Sequence, residues 1–384
     1  MGKVFLNVSC GCGVGVGFKC VGRVFRVGES VVQVVLRWWG AGLRGKRVAR
    51  AGGGGGAADL GERGVIEFMR RFFEVMPGLP VAFGDDVSAV AVGAGRLAVL
   101  KADMLVAETD VPRGMSLWQA ARKAVVMNVS DFAAKGVEPK AALVSLGLPR
   151  SLMRKDLEEI AKGLNAGARE YGAFVVGGDT GEAADLVVSV HLFGTAEKDA
   201  LMLRSGAKVG DIVAVTGFFG KSAAGLRILL DGQVVSRELR EVLVSAVCMP
   251  QARLREGLAL RGSGAVTSSI DSSDGLAWSL HELAALSRVG FVVSALPVAD
   301  EVRCFAEFNR LDAVELALYG GEEYELVVTV KPKLWSEAET AVEAVGGRLL
   351  PIGKVTRDRR VVLDVDGKKR LVEARGYEHF RSSY

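Results

Sequence analysis

Residues 141–180 read AALVSLGLPRSLMRKDLEEIAKGLNAGAREYGAFVVGGDT. The apolar run from Ala141 to Leu148 has the length of a strand. Leu152 to Tyr171 carries its apolar residues at helical spacing, and Phe174-Val175-Val176 reads as a short buried strand running into a Gly177-Gly178-Asp179-Thr180 turn. Strand, helix and strand in succession predict an α/β architecture. Upstream, Leu117 to Lys135 is rich in Ala, Met, Val and Lys and predicts a helix stopped by Gly136, the residue suited to a left-handed C-terminal cap. Asn128 and Asp131, three apart, then share one helical face. Strands are predicted at Val87 to Val92 and Leu97 to Leu100, after a first helix that starts near Asp59 and breaks at Pro77-Gly78. Downstream, a strand at Leu186 to Gly194 is followed by Arg204-Ser205-Gly206-Ala207-Lys208, a turn that reads as a domain boundary. Val209 to Thr216 begins a fresh unit. Helices follow at Ser222 to Leu230, Gln251 to Gly257 and Leu276 to Ser287, with strands at Phe291 to Val293, Glu325 to Val330 and Val361 to Val365.

A chain of 384 residues favours two domains over one shared core. The expected division is a Gly/Val/Arg-rich extension over 1–58, an N-terminal domain over 59–200 and a C-terminal α/β domain over 201–384. The extension lacks sustained periodicity, and its Gly, Val, Arg and Ala content is what G-rich DNA encodes in any frame. It is therefore expected to be unstructured or not part of the native protein. It also holds nine Lys or Arg against the single acid Glu29, leaving 40 basic against 44 acidic residues in the rest. The overall charge of +4 thus belongs to the extension and carries no case for nucleic-acid binding. No apolar run is long enough to span a membrane. Five cysteines without a spaced framework fit a reducing cytoplasm.

Aspartates recur beside glycine-rich turns: Asp85-Asp86, Asp103, Asp131, Asp179, Asp271 and Asp274. Magnesium takes hard oxygen ligands, only one or two carboxylates per ion, and completes its shell with water and phosphate oxygens. Several aspartates therefore suggest several ions around a polyphosphate, although Asp also serves as a turn and N-cap residue. The three histidines, His191, His281 and His379, have neither metal-ligand nor triad spacing and read as structural. Gly217-Phe218-Phe219-Gly220-Lys221-Ser222 has two residues between its glycines where a P-loop has four, so P-loop chemistry is not expected.

Eight motifs in order over residues 59–380 resemble those of thiamine-monophosphate kinases: Gly84-Asp85-Asp86, Asp103-Met104-Leu105-Val106, Asn128-Val129-Ser130-Asp131, Gly177-Gly178-Asp179-Thr180, Arg204-Ser205-Gly206-Ala207-Lys208, Ile270-Asp271-Ser272-Ser273-Asp274-Gly275-Leu276, Gly320-Gly321-Glu322-Glu323-Tyr324-Glu325-Leu326 and Gly376-Tyr377-Glu378-His379-Phe380. The resemblance implies the two-domain fold of the aminoimidazole ribonucleotide synthetase (PurM-like) superfamily, with N-terminal domains pairing into a β-barrel across a homodimer. It implies direct transfer of the γ-phosphoryl of ATP to thiamine monophosphate with magnesium ions bound. By position, metal ligands would fall on Asp86, Asp103, Asp131, Asp179, Asp271 and Asp274, with Lys101 and Ala102 at two further metal positions. Nucleotide contacts would fall on Tyr171, Gly178, Asp179, Arg204 and Ser273, and substrate contacts on Asp110, Glu322 and Phe380. Asp131, Asp179 and Arg204 would carry catalysis.

The chain departs from the family's wording at three places. Lys101-Ala102 stands where Ser-Thr is common, Asp110 where histidine is common, and Glu323 where aspartate is usual. The first removes a hydroxyl ligand and puts positive charge where a metal would otherwise sit. Two other readings remain at this stage: a different ATP-dependent synthetase of the superfamily, and a non-catalytic nucleotide- or metal-binding module.

Overall fold

The computed structural model describes residues 56–365 and 367–380, so nearly all of the 1–58 extension, with Cys10, Cys12 and Cys20, lies outside the described residues. The strands are β1 (Ser88–Gly93), β2 (Arg96–Val106), β3 (Pro139–Leu148), β4 (Phe174–Glu182), β5 (Val187–Glu197), β6 (Ile212–Val215), β7 (Val266–Asp271), β8 (Gly290–Val293), β9 (Leu326–Val330), β10 (Leu350–Thr356), β11 (Val361–Val365) and β12 (Lys368–Leu371). The first five form an open sheet in the order β1-β2-β5-β3-β4, antiparallel except for the parallel β3–β4 pair. The other seven form a second sheet, β12-β11-β8-β10-β6-β9-β7.

Period-two alternation decides what each face of the first sheet does. On β2, Leu97, Val99 and Leu105 are buried, and Lys101 and Asp103 continue their row. This inner row faces helix Leu117–Lys135, whose N-terminus is fixed by a reciprocal Ser116–Gln119 capping box and whose C-terminus is fixed by Gly136 at φ 64°. The opposite face is exposed and apolar, carrying Leu100, Met104, Leu143 and Phe193.

Seven-stranded sheets with both faces covered lose alternation, and β9 reads Leu-Val-Val-Thr-Val, every residue buried. Leu326, Val328 and Val330 join the core shared with the first sheet. Val327 joins a second core with Phe219, Leu280, Phe291 and Phe305. The Leu117–Lys135 helix lies within the first core. Helix Leu254–Ser263 approaches it so closely that a Cβ on Gly257 would fall 2.1 Å from the Ala133 carbonyl oxygen.

Helices Leu117–Lys135 and Leu276–Ser287 and strand Val361–Val365 stand at their predicted bounds. Three expectations need correction. The Phe174 strand is neither short nor buried: it is nine residues long, exposed throughout at a sheet edge, and contains the predicted Gly-Gly-Asp-Thr turn. That segment stays extended because Gly177 to Thr180 pairs in register with Leu143 to Leu146. Gly178 is required there, since its Cβ would meet the Val144 carbonyl oxygen at 1.7 Å. Asp103 lies mid-strand rather than in a turn, while Asp131 lies mid-helix as its shared face with Asn128 predicts. The Gln251–Gly257 helix begins instead at Leu254, after Arg253 turns to Glu325.

Candidate functional site

Asp86 follows the Gly84 turn, Asp131 sits on the Leu117–Lys135 helix, and Asp271 ends β7. Three remote segments thus bring one carboxylate oxygen each to within 4.8 Å of one another, and all three residues are buried. Such crowding of like charges has to be offset, and the chain supplies cations on the same spot. Lys135 Nζ lies 2.7 Å from Asp85 Oδ1 and 2.7 Å from Asp86 Oδ2, and donates to the Ser269 carbonyl at 2.8 Å. Arg204 Nε donates to Asp86 Oδ1 at 2.6 Å and its Nη1 to the Gly84 carbonyl at 3.0 Å. Lys101 Nζ sits 3.0 Å from both Asp103 Oδ1 and Asp131 Oδ1.

The protonation of these groups follows from their neighbours. Against the cost of burial, Lys135 and then Arg204 hold the Asp86 carboxyl below its usual range. Burial pushes Asp131 well up, Lys101 offsets only part of this, and Asp271, Asp103 and Asp86 add to it. Asp271 is pushed up to about 6 by burial and then by Asp86, although Ser130 Oγ donates to its Oδ2 at 2.7 Å. Burial likewise disfavours the Lys101 charge, yet Asp103 and Asp131 hold it above the usual lysine range. Carboxylates with raised affinity for a proton are carboxylates still short of positive charge. Hard oxygen donors converging in a buried place fit a divalent cation. The buried Oγ atoms of Ser269 and Ser272, on either side of Asp271, have no hydrogen-bond partner among the described residues and could complete a polar ligand's contacts.

The remaining predicted residues divide. Asp103 joins the centre through Lys101, and its N–H donates to Asn128 Oδ1 at 2.9 Å, so the Asn128–Asp131 face meets β2 as expected. Ala102 alternates to the exposed face, away from Asp103. Asp179 lies on the exposed edge strand β4, outside the buried trio. Asp274 pairs with Arg63 at 3.5 Å, and its carboxyl is pushed up to about 6 by partial burial and then by Glu62. Asp110 and Glu322 are brought together by the buried Lys123, which donates to the Asp110 carbonyl at 3.2 Å and pairs with the Glu322 carboxylate. Ser273 contributes its carbonyl, which accepts from the Glu322 N–H at 2.6 Å. Tyr171 accepts from the Ala252 N–H at 2.9 Å, and Phe380 is more than half exposed.

Lys135, Ser130 and Lys123 were not anticipated. Spacing could have found Lys135: Asn128, Asp131 and Lys135 fall at i, i+3 and i+7, one stripe of a helix. Gly217–Ser222 departs from a P-loop in structure as well. The N–H groups of Gly220 and Ser222, at the start of helix Lys221–Leu230, are taken by the Glu323 carboxylate at 2.7 and 3.2 Å. An anion site at that helix end is filled by the protein itself.

Two sheets joined through a buried carboxylate centre define a protein of the AIR synthase related class. That family's N-terminal domain matches residues 84–196 and its C-terminal domain 208–366, giving a mixed α/β, two-domain PurM-like fold. The thiamine-monophosphate kinase of Nitrosopumilus maritimus is 38% identical over 283 residues, 74% of this chain and 89% of that one. The thiamine-monophosphate kinase of Pyrococcus horikoshii is 38% identical over 317 residues, 82% of this chain and 96% of that one. A solved structure of AaThiL complexed with AMPPCP and TMP superposes with a TM-score of 0.73 at 30% identity, covering 84% of this chain and 97% of that one. The chain belongs to the thiamine-monophosphate kinase family.

Proposed function

We propose that this protein phosphorylates thiamine monophosphate to thiamine diphosphate, using ATP as co-substrate. The observation that carries the reading is the convergence of Asp86, Asp131 and Asp271 in a chain 38% identical to thiamine-monophosphate kinases. Joining two phosphates is opposed by charge repulsion and by the need for in-line alignment. The acceptor phosphate is already ionised at neutral pH, so no general base is required, consistent with a centre built without histidine. Asp86, Asp131 and Asp271, with Asp179 and Asp274 from the neighbouring motifs, would hold magnesium, while the Asp103 carboxylate is paired with Lys101. When bound, magnesium supplies neutralisation of the phosphate oxygens. Arg204, paired with Asp86, brings a guanidinium suited to phosphate. Tyr171, Gly178 and Ser273 are our candidates for nucleotide contacts. Asp110 and Glu322, tied by Lys123, and Phe380 are our candidates for thiamine recognition.

The domains are taken as 59–200 and 201–384, and the working form as a homodimer. The exposed apolar face of Leu100, Met104, Leu143 and Phe193 favours a second copy completing the open sheet into a barrel. No helix among the described residues is long and apolar enough to cross a membrane, and Cys248 and Cys304 are free thiols. Our reading of the protein as cytoplasmic is supported by these free thiols.

The test is incubation of the full chain with ATP, magnesium and thiamine monophosphate, with chromatographic detection of thiamine diphosphate. Turnover of ATP onto another acceptor with no thiamine diphosphate formed overturns the assignment. Asp131→Asn should lower turnover by at least about 100-fold with an unchanged circular dichroism spectrum. Near-normal turnover removes Asp131 from the centre.

A further inference from the structure

Lys101 belongs to the inner row of β2, where Leu97, Val99 and Leu105 face the core. A lysine in such a row places its ammonium against whatever the facing helix presents, and here that is Asp131. The Nζ stands 3.0 Å from Asp131 Oδ1 and 3.0 Å from Asp103 Oδ1, bridging the two carboxylates as one cation between two anions. Asp131 is also a member of the Asp86–Asp131–Asp271 trio. One aspartate therefore borders two cation positions, of which the Asp103 side is filled by the chain.

The charge balance points the same way. Asp85, Asp86, Asp103, Asp131 and Asp271 face Lys101, Lys135 and Arg204. With all five ionised, as they would be around a bound cation, five carboxylates against three cations leave two negative charges, the amount a single divalent ion at the trio neutralises. A second ion shared by Asp103 and Asp131 would have to displace Lys101 or overcharge the pair.

We propose that Lys101 is a tethered substitute for a divalent cation between Asp103 and Asp131, so that this chain binds one fewer metal ion than its carboxylates could support. The proposal rests on the reading of the trio as a metal site. Lys101 is a positioning residue: it holds Asp103 and Asp131 at the separation an ion would impose, without occupying a coordination sphere. Removing the ammonium while supplying a hydroxyl oxygen should open a further site.

The test counts bound Mn2+, a paramagnetic stand-in for magnesium, by electron paramagnetic resonance on the full chain with a non-hydrolysable ATP analogue present. Lys101→Ser should bind one more Mn2+ per chain than the wild type, and Lys101→Arg, which keeps the charge, the wild-type number. Asp103→Asn should leave the wild-type count unchanged and abolish the added site in Lys101→Ser. Equal counts in wild type and Lys101→Ser overturn the proposal, as does loss of an ion in Asp103→Asn alone. A wild type that binds no Mn2+ overturns the metal reading of the trio instead. In that case a single ion gained by Lys101→Ser still supports the substitution, and none gained overturns both. If Lys101→Ser does not fold, the Asp103→Asn count on the otherwise native chain decides.

Discussion

Replacing Lys135 with methionine isolates the electrostatic work of one buried ammonium. The side chain is fully buried, and methionine is of similar length, so little cavity is created and packing changes are small. What is lost is the cation 2.7 Å from Asp85, 2.7 Å from Asp86 and 2.8 Å from the Ser269 carbonyl. Asp86 keeps Arg204, but Asp85 is left with backbone contacts alone. Breaking a buried pair by removing one partner costs about 3–5 kcal/mol. The expected change in melting temperature is a fall on the order of 10 °C. The assay is urea unfolding followed by circular dichroism at pH 7.5 in EDTA, repeated with magnesium, which should recover part of the loss.

The sign of the pH dependence is fixed by Asp86. Its folded-state pKa is held below the unfolded value of 3.8, so its contribution is present above that value and lost as the pH falls through the folded one. The deficit of Lys135→Met should therefore stay full from pH 7.5 down to 3.8 and shrink only below that value. Adding Asp86→Asn should restore stability, with a coupling of about 1–3 kcal/mol. A deficit under about 1 kcal/mol in EDTA, or one indifferent to Asp86→Asn, refutes the account.

Gly178→Ala forces a Cβ to 1.7 Å from the Val144 carbonyl and should part β4 from β3, costing at least about 1–3 kcal/mol; an unchanged urea midpoint counts against the pairing. Glu323→Gln keeps an acceptor for the Gly220 and Ser222 N–H groups but removes a carboxyl pushed up to about 7 by burial. A raised carboxyl pKa favours folding less as the pH climbs from 4.5 through 7. The stability of Glu323→Gln relative to wild type should therefore rise over that window, and parallel urea midpoints at pH 4.5, 6 and 8 sink the reasoning. Leu143→Glu, on the half-exposed face of the first sheet, should halve the mass measured by analytical ultracentrifugation. A dimer unaffected by it places the interface elsewhere.

Elements bounded by unambiguous chemistry were legible in the sequence. The Leu117–Lys135 helix lies between a Ser116 cap and the left-handed Gly136, and β11 is a plain apolar run. Strand β10 went unread because Pro351 and Gly353 argue against a strand, yet Gly353 is needed where the Val292 carbonyl comes within 2.1 Å of its would-be Cβ. Strand β12, Lys-Lys-Arg-Leu, carries no apolar period and is exposed throughout. Helices Arg237–Cys248, Asp300–Asn309 and Trp335–Ala344 were passed over between stronger signals, although the first two have marked apolar faces. β4 was misjudged because Val175-Val176 looks like core, and only the tertiary arrangement puts it at an edge. At the site, the aspartates were found one by one. The convergence of Asp86, Asp131 and Asp271, and the cations set among them, depends on contacts between segments tens to more than a hundred residues apart, which no local pattern encodes.

The Leu117–Lys135 helix has 15 of its 19 residues buried, charged and apolar alike. A surface helix records its orientation as a stripe of tolerant positions every third or fourth residue. This one has almost no outward side from Ala120 onward, so saturation mutagenesis should return a nearly unbroken band of intolerance there. Polar replacements should be rejected at Val125 and Val129, and apolar ones at Lys123, Asp131 and Lys135. Natural variation has little room to accumulate along it, which makes it the segment least able to drift and the one in which a single change of residue type carries the most information about a change of chemistry.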